Sequence, residues 1–110
     1  MEQLNIVEKQ GDNYSILEIK GAINSYTFTE FQNKVYSLIK ANNLVLDLQA
    51  VTNLSSAGLG VLMTAVEDAK AAKHFLHILK PSDIVKMAID STGFSEMFSI
   101  IRSVHEIATA

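Results

Sequence analysis

In the stretch Asn53-Leu54-Ser55-Ser56-Ala57-Gly58-Leu59-Gly60-Val61-Leu62, two hydroxyls and two glycines fall within six consecutive residues, the most unusual local composition of the chain. A serine at the start of a helix accepts a hydrogen bond from an otherwise orphaned backbone N–H, so capping is the first role open to Ser55 or Ser56. Nucleophilic catalysis would need a base and an orienting group. Neither serine sits in a G-x-S-x-G elbow, and the three histidines form no recognisable arrangement, so the chain does not read as an enzyme. His74 and His77 are three apart at a strand entrance, which turns them to opposite faces and disfavours a shared metal, and His105 reads as a solvated helix residue. The glycines suggest a phosphate-binding loop, but Gly58-Leu59-Gly60 is followed by Met63, and no Gly-Lys-Ser/Thr occurs. No metal and no cofactor are expected. A glycine inside a helix costs about 1 kcal/mol relative to alanine, so Gly58 and Gly60 ask for a reason. Close packing of helix on sheet, or close approach of a partner's backbone, would supply one.

The elements that must position this segment follow from periodicity. Leu4, Ile6, Tyr14, Ile16, Leu17 and Ile19 alternate around the turn signal Gln10-Gly11-Asp12-Asn13 and predict a β-hairpin. After Gly21, Phe28, Phe31, Val35, Leu38 and Ile39 are spaced three and four apart, predicting a helix over 28–41 with a Thr27–Glu30 capping box and a stop at Asn42-Asn43. Leu44-Val45-Leu46-Asp47-Leu48 reads as a central strand, and 49–55 as a loop leading to a second helix with Leu59, Leu62, Met63, Val66 and Ala69 on one face. Phe75-Leu76-His77-Ile78-Leu79 is the next strand. Pro81-Ser82 opens a third helix, which Gly93 ends in the left-handed region. Phe98, Ile100 and Ile101 give a last strand, and Ser103 with Glu106 caps a final helical turn through Ile107 and Ala108. Alternating strands and helices after a hairpin imply an α/β fold: a mixed, mostly parallel sheet of about five strands with flanking helices, and sites at the strand carboxyl ends.

The whole chain, 1–110, reads as one domain, since 110 residues with 48% hydrophobic and 19% charged positions can fill one core. No cysteine is present, which excludes a disulfide framework and suits a reducing cytoplasm. No apolar run approaches the roughly 18 residues of a membrane span, and Met1-Glu2-Gln3 is not a basic signal sequence. Membrane insertion and secretion are disfavoured. A net charge of −3 without a basic stripe makes nucleic acid a poor partner.

The segment Ser55-Ser56-Ala57-Gly58-Leu59-Gly60-Val61-Leu62, following Val45-Leu46-Asp47-Leu48, resembles the STAS domain of anti-sigma factor antagonists, shared with sulfate-transporter tails. Gly21-Ala22-Ile23-Asn24, read as a turn before the first helix, is similar to the family's Gly-x-Leu-Asp, and the element order agrees throughout. The resemblance implies a STAS-like fold and a cytoplasmic partner-switching protein: it binds an anti-sigma factor serine kinase, is released by phosphorylation, and so regulates transcription indirectly. By position the acceptor is Ser56, with Ser55 the alternative. The implied partner-binding residues are Asn24, Asp47, Ser55, Ser56, Ala57, Gly58, Leu59 and Gly60, and a PP2C-type phosphatase is the implied second partner. Ser55 and Asn24 stand where the family often has aspartate. Asp47 is the nearest acid by sequence, and a structural carboxylate at a strand end is its other reading. The second role open to the same fold is a non-phosphorylated subunit of a larger assembly, such as a lipid-trafficking ABC transporter.

Overall fold

The computed structural model describes residues 4–107. The hairpin forms as expected, from β1 (Asn5–Gln10) and β2 (Tyr14–Ile23), closed by the Gly11 N–H donating to the Tyr14 carbonyl at 2.8 Å. Helix α1 (Phe28–Ala41) follows, then β3 (Asn43–Leu54), α2 (Ser56–Ala72), β4 (Leu76–Leu79), α3 (Asp83–Ser91) and β5 (Ser99–Ile101), with single 3-10 turns at Ser95–Met97 and Val104–Glu106. The five strands lie in the order β1-β2-β3-β4-β5, β1 antiparallel to β2 and every later pair parallel. This is the mixed, mostly parallel sheet that the sequence implies.

Three successive parallel crossovers moving one way across the sheet place their helices on one face. Leu17, Ile19 and Ile23 of β2, Leu44, Leu46 and Leu48 of β3, and Leu76 and Ile78 of β4 point into that layer. They meet Phe31, Val35 and Ile39 of α1, Leu62, Ala65 and Ala69 of α2, and Val85 and Ile89 of α3. Among the described residues the opposite face carries a small buried cluster, Val45, Leu79, Ile101 and Ile107, beneath the last 3-10 turn. Burial on both faces explains why Leu44–Leu48, Asp47 apart, reads as a nearly continuous apolar run.

The boundaries and caps differ from the sequence expectation in several places, with Phe75 and Phe98 lying just outside β4 and β5. Residues 49–55 are not a loop: β3 runs to Leu54, pairing with β2 up to Ile23. Gly21, Ala22 and Ile23 likewise belong to β2 and are not a turn; the bend begins at Asn24. Thr27 precedes α1 but makes no capping box with Glu30, because its hydroxyl is turned back toward β2, accepting the Asn24 N–H at 2.9 Å and donating to the Ala22 carbonyl at 2.7 Å. The Ser103–Glu106 capping box is present, on a 3-10 turn of Val104–Glu106; Ile107 is extended, and Ala108 lies outside the described residues. Asn43 does more than stop a helix. Its side chain donates to the Asn13 carbonyl and accepts from the Phe75 N–H, both at 2.8 Å, tying the hairpin turn to the start of β4.

On the open face His77 stacks on Phe75 at 4.7 Å and hydrogen-bonds Ser99 across β4 and β5 at 2.6 Å. Partial burial holds its imidazole below the ordinary value of 6.5, so the folded chain resists the proton that the unfolded chain takes up. Stability is therefore complete above pH 6.5 and falls as the pH drops through that value toward the lower folded pKa. Urea titrations at neutral and mildly acidic pH should show this loss in the wild type and a smaller one in His77→Gln.

Candidate functional site

The serine-glycine segment lies at the tip of the long β2–β3 pair. Beyond the last pairing of β3 with β4, Asp47 with Leu79, β3 continues to Leu54, about 23 Å at a strand's rise of about 3.3 Å per residue. Only β2 accompanies it that far. Ser55 then turns the chain into α2, its N–H donating to the Ile23 carbonyl at 2.8 Å, which locks the helix start to the end of β2.

The two serines separate cleanly. Ser55 is the N-cap in extended geometry, and its Oγ accepts the Gly58 N–H at 3.1 Å. Ser56 is the first helical residue and is exposed, and among the described residues its hydroxyl has no hydrogen-bond partner. Capping therefore belongs to Ser55, which leaves the Ser56 hydroxyl in water beside the unsatisfied N–H groups of the helix start. Ser55→Ala should cost about 1 kcal/mol of stability, as loss of an N-cap does, whereas Ser56→Ala should stay within about 0.5 kcal/mol of wild type. Thermal melts of the two variants side by side measure the difference.

The two glycines also separate. A Cβ on Gly58 would lie 2.6 Å from Ile23 Cγ2 and 2.8 Å from Leu54 Cδ1, so this glycine lets α2 rest directly on β2 and β3. A Cβ on Gly60 would meet nothing within 4 Å, and the residue is exposed. Of the expected partner-binding residues, Ser56, Ala57 and Gly60 present an open surface, and Asn24 and Ser55 lie half-buried beside it. Gly58 is buried, and Leu59 packs against the core, so these two support the site from beneath.

Asp47 stands apart. It is not at a strand end but within β3, 7% exposed, on the face opposite the helices, with its carboxylate accepting from the Gln49 N–H and side-chain amide, each at 3.2 Å. Glu18 is its register partner on β2, and both line a groove of about 230 Å³ with Asn5, Lys20 and Gln49. The remaining length of β3 separates this groove from Ser56. The structure does not bring Asp47 to the tip.

Sequence reasoning missed Tyr26. The Asn24 side-chain oxygen accepts the N–H groups of Tyr26 at 2.8 Å and Thr27 at 3.1 Å, closing a tight turn between β2 and α1. That turn holds the Tyr26 side chain 86% exposed at the same end of the molecule as Ser56. Asn24 at the head of the turn was the available signal, since Asx turns recur there. Among the described residues no group of three or more His, Asp or Glu could hold a metal, and no helix is long and apolar enough to cross a membrane.

A family model described as STAS domain matches residues 3–107. The fold is also that of solved anti-sigma factor antagonists. One from Mycobacterium paratuberculosis superposes with a TM-score of 0.83 at 20% identity, over 94% of this chain and 90% of that one. SpoIIAA in its unphosphorylated form gives 0.75 at 12% identity, over 96% of this chain and all of that one. The Bacillus cell fate determinant SpoIIAA in its phosphorylated form gives 0.71 at 11% identity, over 93% and 95%. At these identities the likeness shows the shared architecture.

Proposed function

The chain belongs to the STAS domain family, and on that premise we propose that it is an anti-sigma factor antagonist that binds a serine-kinase anti-sigma factor through the Ser56 tip and is released when Ser56 is phosphorylated. The observation that carries this reading is the division of labour at the start of α2: Ser55 performs the capping, so the Ser56 hydroxyl is available to a kinase without dismantling the helix. Gly60 adds to it, because an exposed helical glycine with no internal contact suits the close approach of a partner's main chain. A structural neighbour solved in a phosphorylated form supports the same kind of chemistry on this architecture.

Phosphate at Ser56 would bring about −1.5 to −2 charge to the positive end of α2, which favours anions by about 0.3–1 kcal/mol. The modification therefore leaves the domain folded and acts at the interface, where a dianion meets a surface shaped for a neutral hydroxyl. Bound unmodified, the antagonist withholds the kinase from its sigma factor; phosphorylated, it lets go, and a PP2C-type phosphatase restores it. The test is incubation with the purified kinase and ATP, followed by mass spectrometry. One phosphate is expected on Ser56 in the wild type and in Ser55→Ala, and none in Ser56→Ala. An unmodified wild type, or phosphate confined to Ser55, would overturn the assignment.

A further inference from the structure

The two segments that build the end of the molecule carrying Ser56 contain no formally charged residue. Between Lys20 and Glu30, and again between Asp47 and Glu67, the chain contains no Asp, Glu, Lys, Arg or His, in a protein that is 19% charged overall. These are the two segments that the β2–β3 pairing and the Ser55 to Ile23 hydrogen bond bring together. Along these two segments charge resumes at Glu30, in the first turn of α1, and at Glu67, in the second half of α2.

Out of this neutral tip projects one large aromatic. Tyr14 and Tyr36 pack against the core clusters, whereas Tyr26 stands in water. Its backbone is fixed by the Asn24 turn, and that turn is braced by the Thr27 hydroxyl, which donates to the Ala22 carbonyl at 2.7 Å and accepts the Asn24 N–H at 2.9 Å. An aromatic held out on a rigid turn loses little conformational freedom on docking, which is why tyrosines recur as interface anchors.

Resting on the reading above, we propose that Tyr26 anchors the docking face and that this face selects, on the serine kinase, an uncharged surface with a pocket for the phenol ring. A charged surface would be stripped of water here without meeting a counter-charge, and that costs affinity. Binding then depends on apolar burial and not on ion pairing, so salt screening has little to act on. Phosphate on Ser56 then introduces formal charge between two segments that carry none, which sharpens the switch.

The experiment is calorimetric titration of wild type, Tyr26→Ala and Tyr26→Phe against the purified serine-kinase anti-sigma factors of the same organism, at about 50 and about 500 mM salt. The expected wild-type Kd changes less than about twofold between the two conditions, because screening acts only on charge. Tyr26→Ala should weaken binding about 30-fold with no change in melting temperature, and Tyr26→Phe should remain within about threefold of wild type. A wild-type Kd that weakens by more than about tenfold in high salt, or a Tyr26→Ala variant that binds like wild type, overturns the proposal and leaves the antagonist reading standing. A wild type that binds none of the kinases overturns the antagonist reading and this proposal with it.

Discussion

Ser56→Glu should reduce affinity for the kinase about 100-fold or more while leaving the melting temperature unchanged or slightly raised, because the same charge acts oppositely in the free and bound states. In the free domain, the introduced carboxylate would occupy the first position of α2, where the helix dipole favours an anion by about 0.3–1 kcal/mol. In the proposed complex, the carboxylate would be buried against a surface that met a hydroxyl. Charge mismatches across interfaces cost several kcal/mol, and about 1.4 kcal/mol corresponds to each factor of ten. Ser56→Gln separates charge from size. It fills the same volume without the charge, and it should bind far more tightly than Ser56→Glu. Equal losses in the two variants, measured by titration alongside thermal melts, would mean that bulk and not charge controls the contact.

What the sequence revealed depended on which residues face a layer of neighbours. The α1 residues Phe31, Val35 and Ile39 recur at intervals of four and are all fully buried, so their period declares the helix and its inward face. The first half of β3 is buried on both faces and reads as a strand without ambiguity. Its second half, Gln49–Leu54, pairs only with β2 beyond the width of the sheet, so Gln49, Thr52 and Asn53 are solvated and the stretch has the composition of a loop. That single misreading shortened β2 and β3 together. The family resemblance grouped Asp47 with Ser56 among the partner-binding residues, whereas the long arm carries the two apart.

The candidate site was legible as a segment but not as roles. Adjacent serines are indistinguishable in composition; the register of the helix start decides that Ser55 caps and Ser56 faces water. Lys73, just past the end of α2, takes the left-handed conformation at φ 60° that ends the helix, which no residue type announced. Tyr26 carries the most exposed large hydrophobic side chain of the described residues, because the Asn24 turn directs it outward. An aromatic next to a helical run ordinarily belongs to the core, so only the three-dimensional turn exposes it.

The paired glycines of α2 provide the sharpest test of this packing, since added side-chain bulk should act in opposite directions at two positions on one helix turn. Gly58→Val places branched carbon where Ile23 Cγ2 and Leu54 Cδ1 already stand, 2.6 and 2.8 Å from the first added atom. Ile23 is fully buried, and its carbonyl holds the Ser55 N–H, so it cannot withdraw without loosening the start of α2. Overpacking of this kind costs about 1–3 kcal/mol, occasionally more, against a total stability of about 5–15 kcal/mol. For a domain of this size a cost of about 3 kcal/mol lowers Tm by about 12–24 °C. Gly58→Ala should show a smaller loss, offset in part by the better helix propensity of alanine. Gly60→Ala meets nothing within 4 Å and should raise stability by up to about 1 kcal/mol. Thermal melts of the three variants decide the matter: a Gly58→Val domain as stable as wild type would mean that α2 does not rest on β2 and β3 through Gly58, and the account of how Ser56 is held at the tip would fall with it.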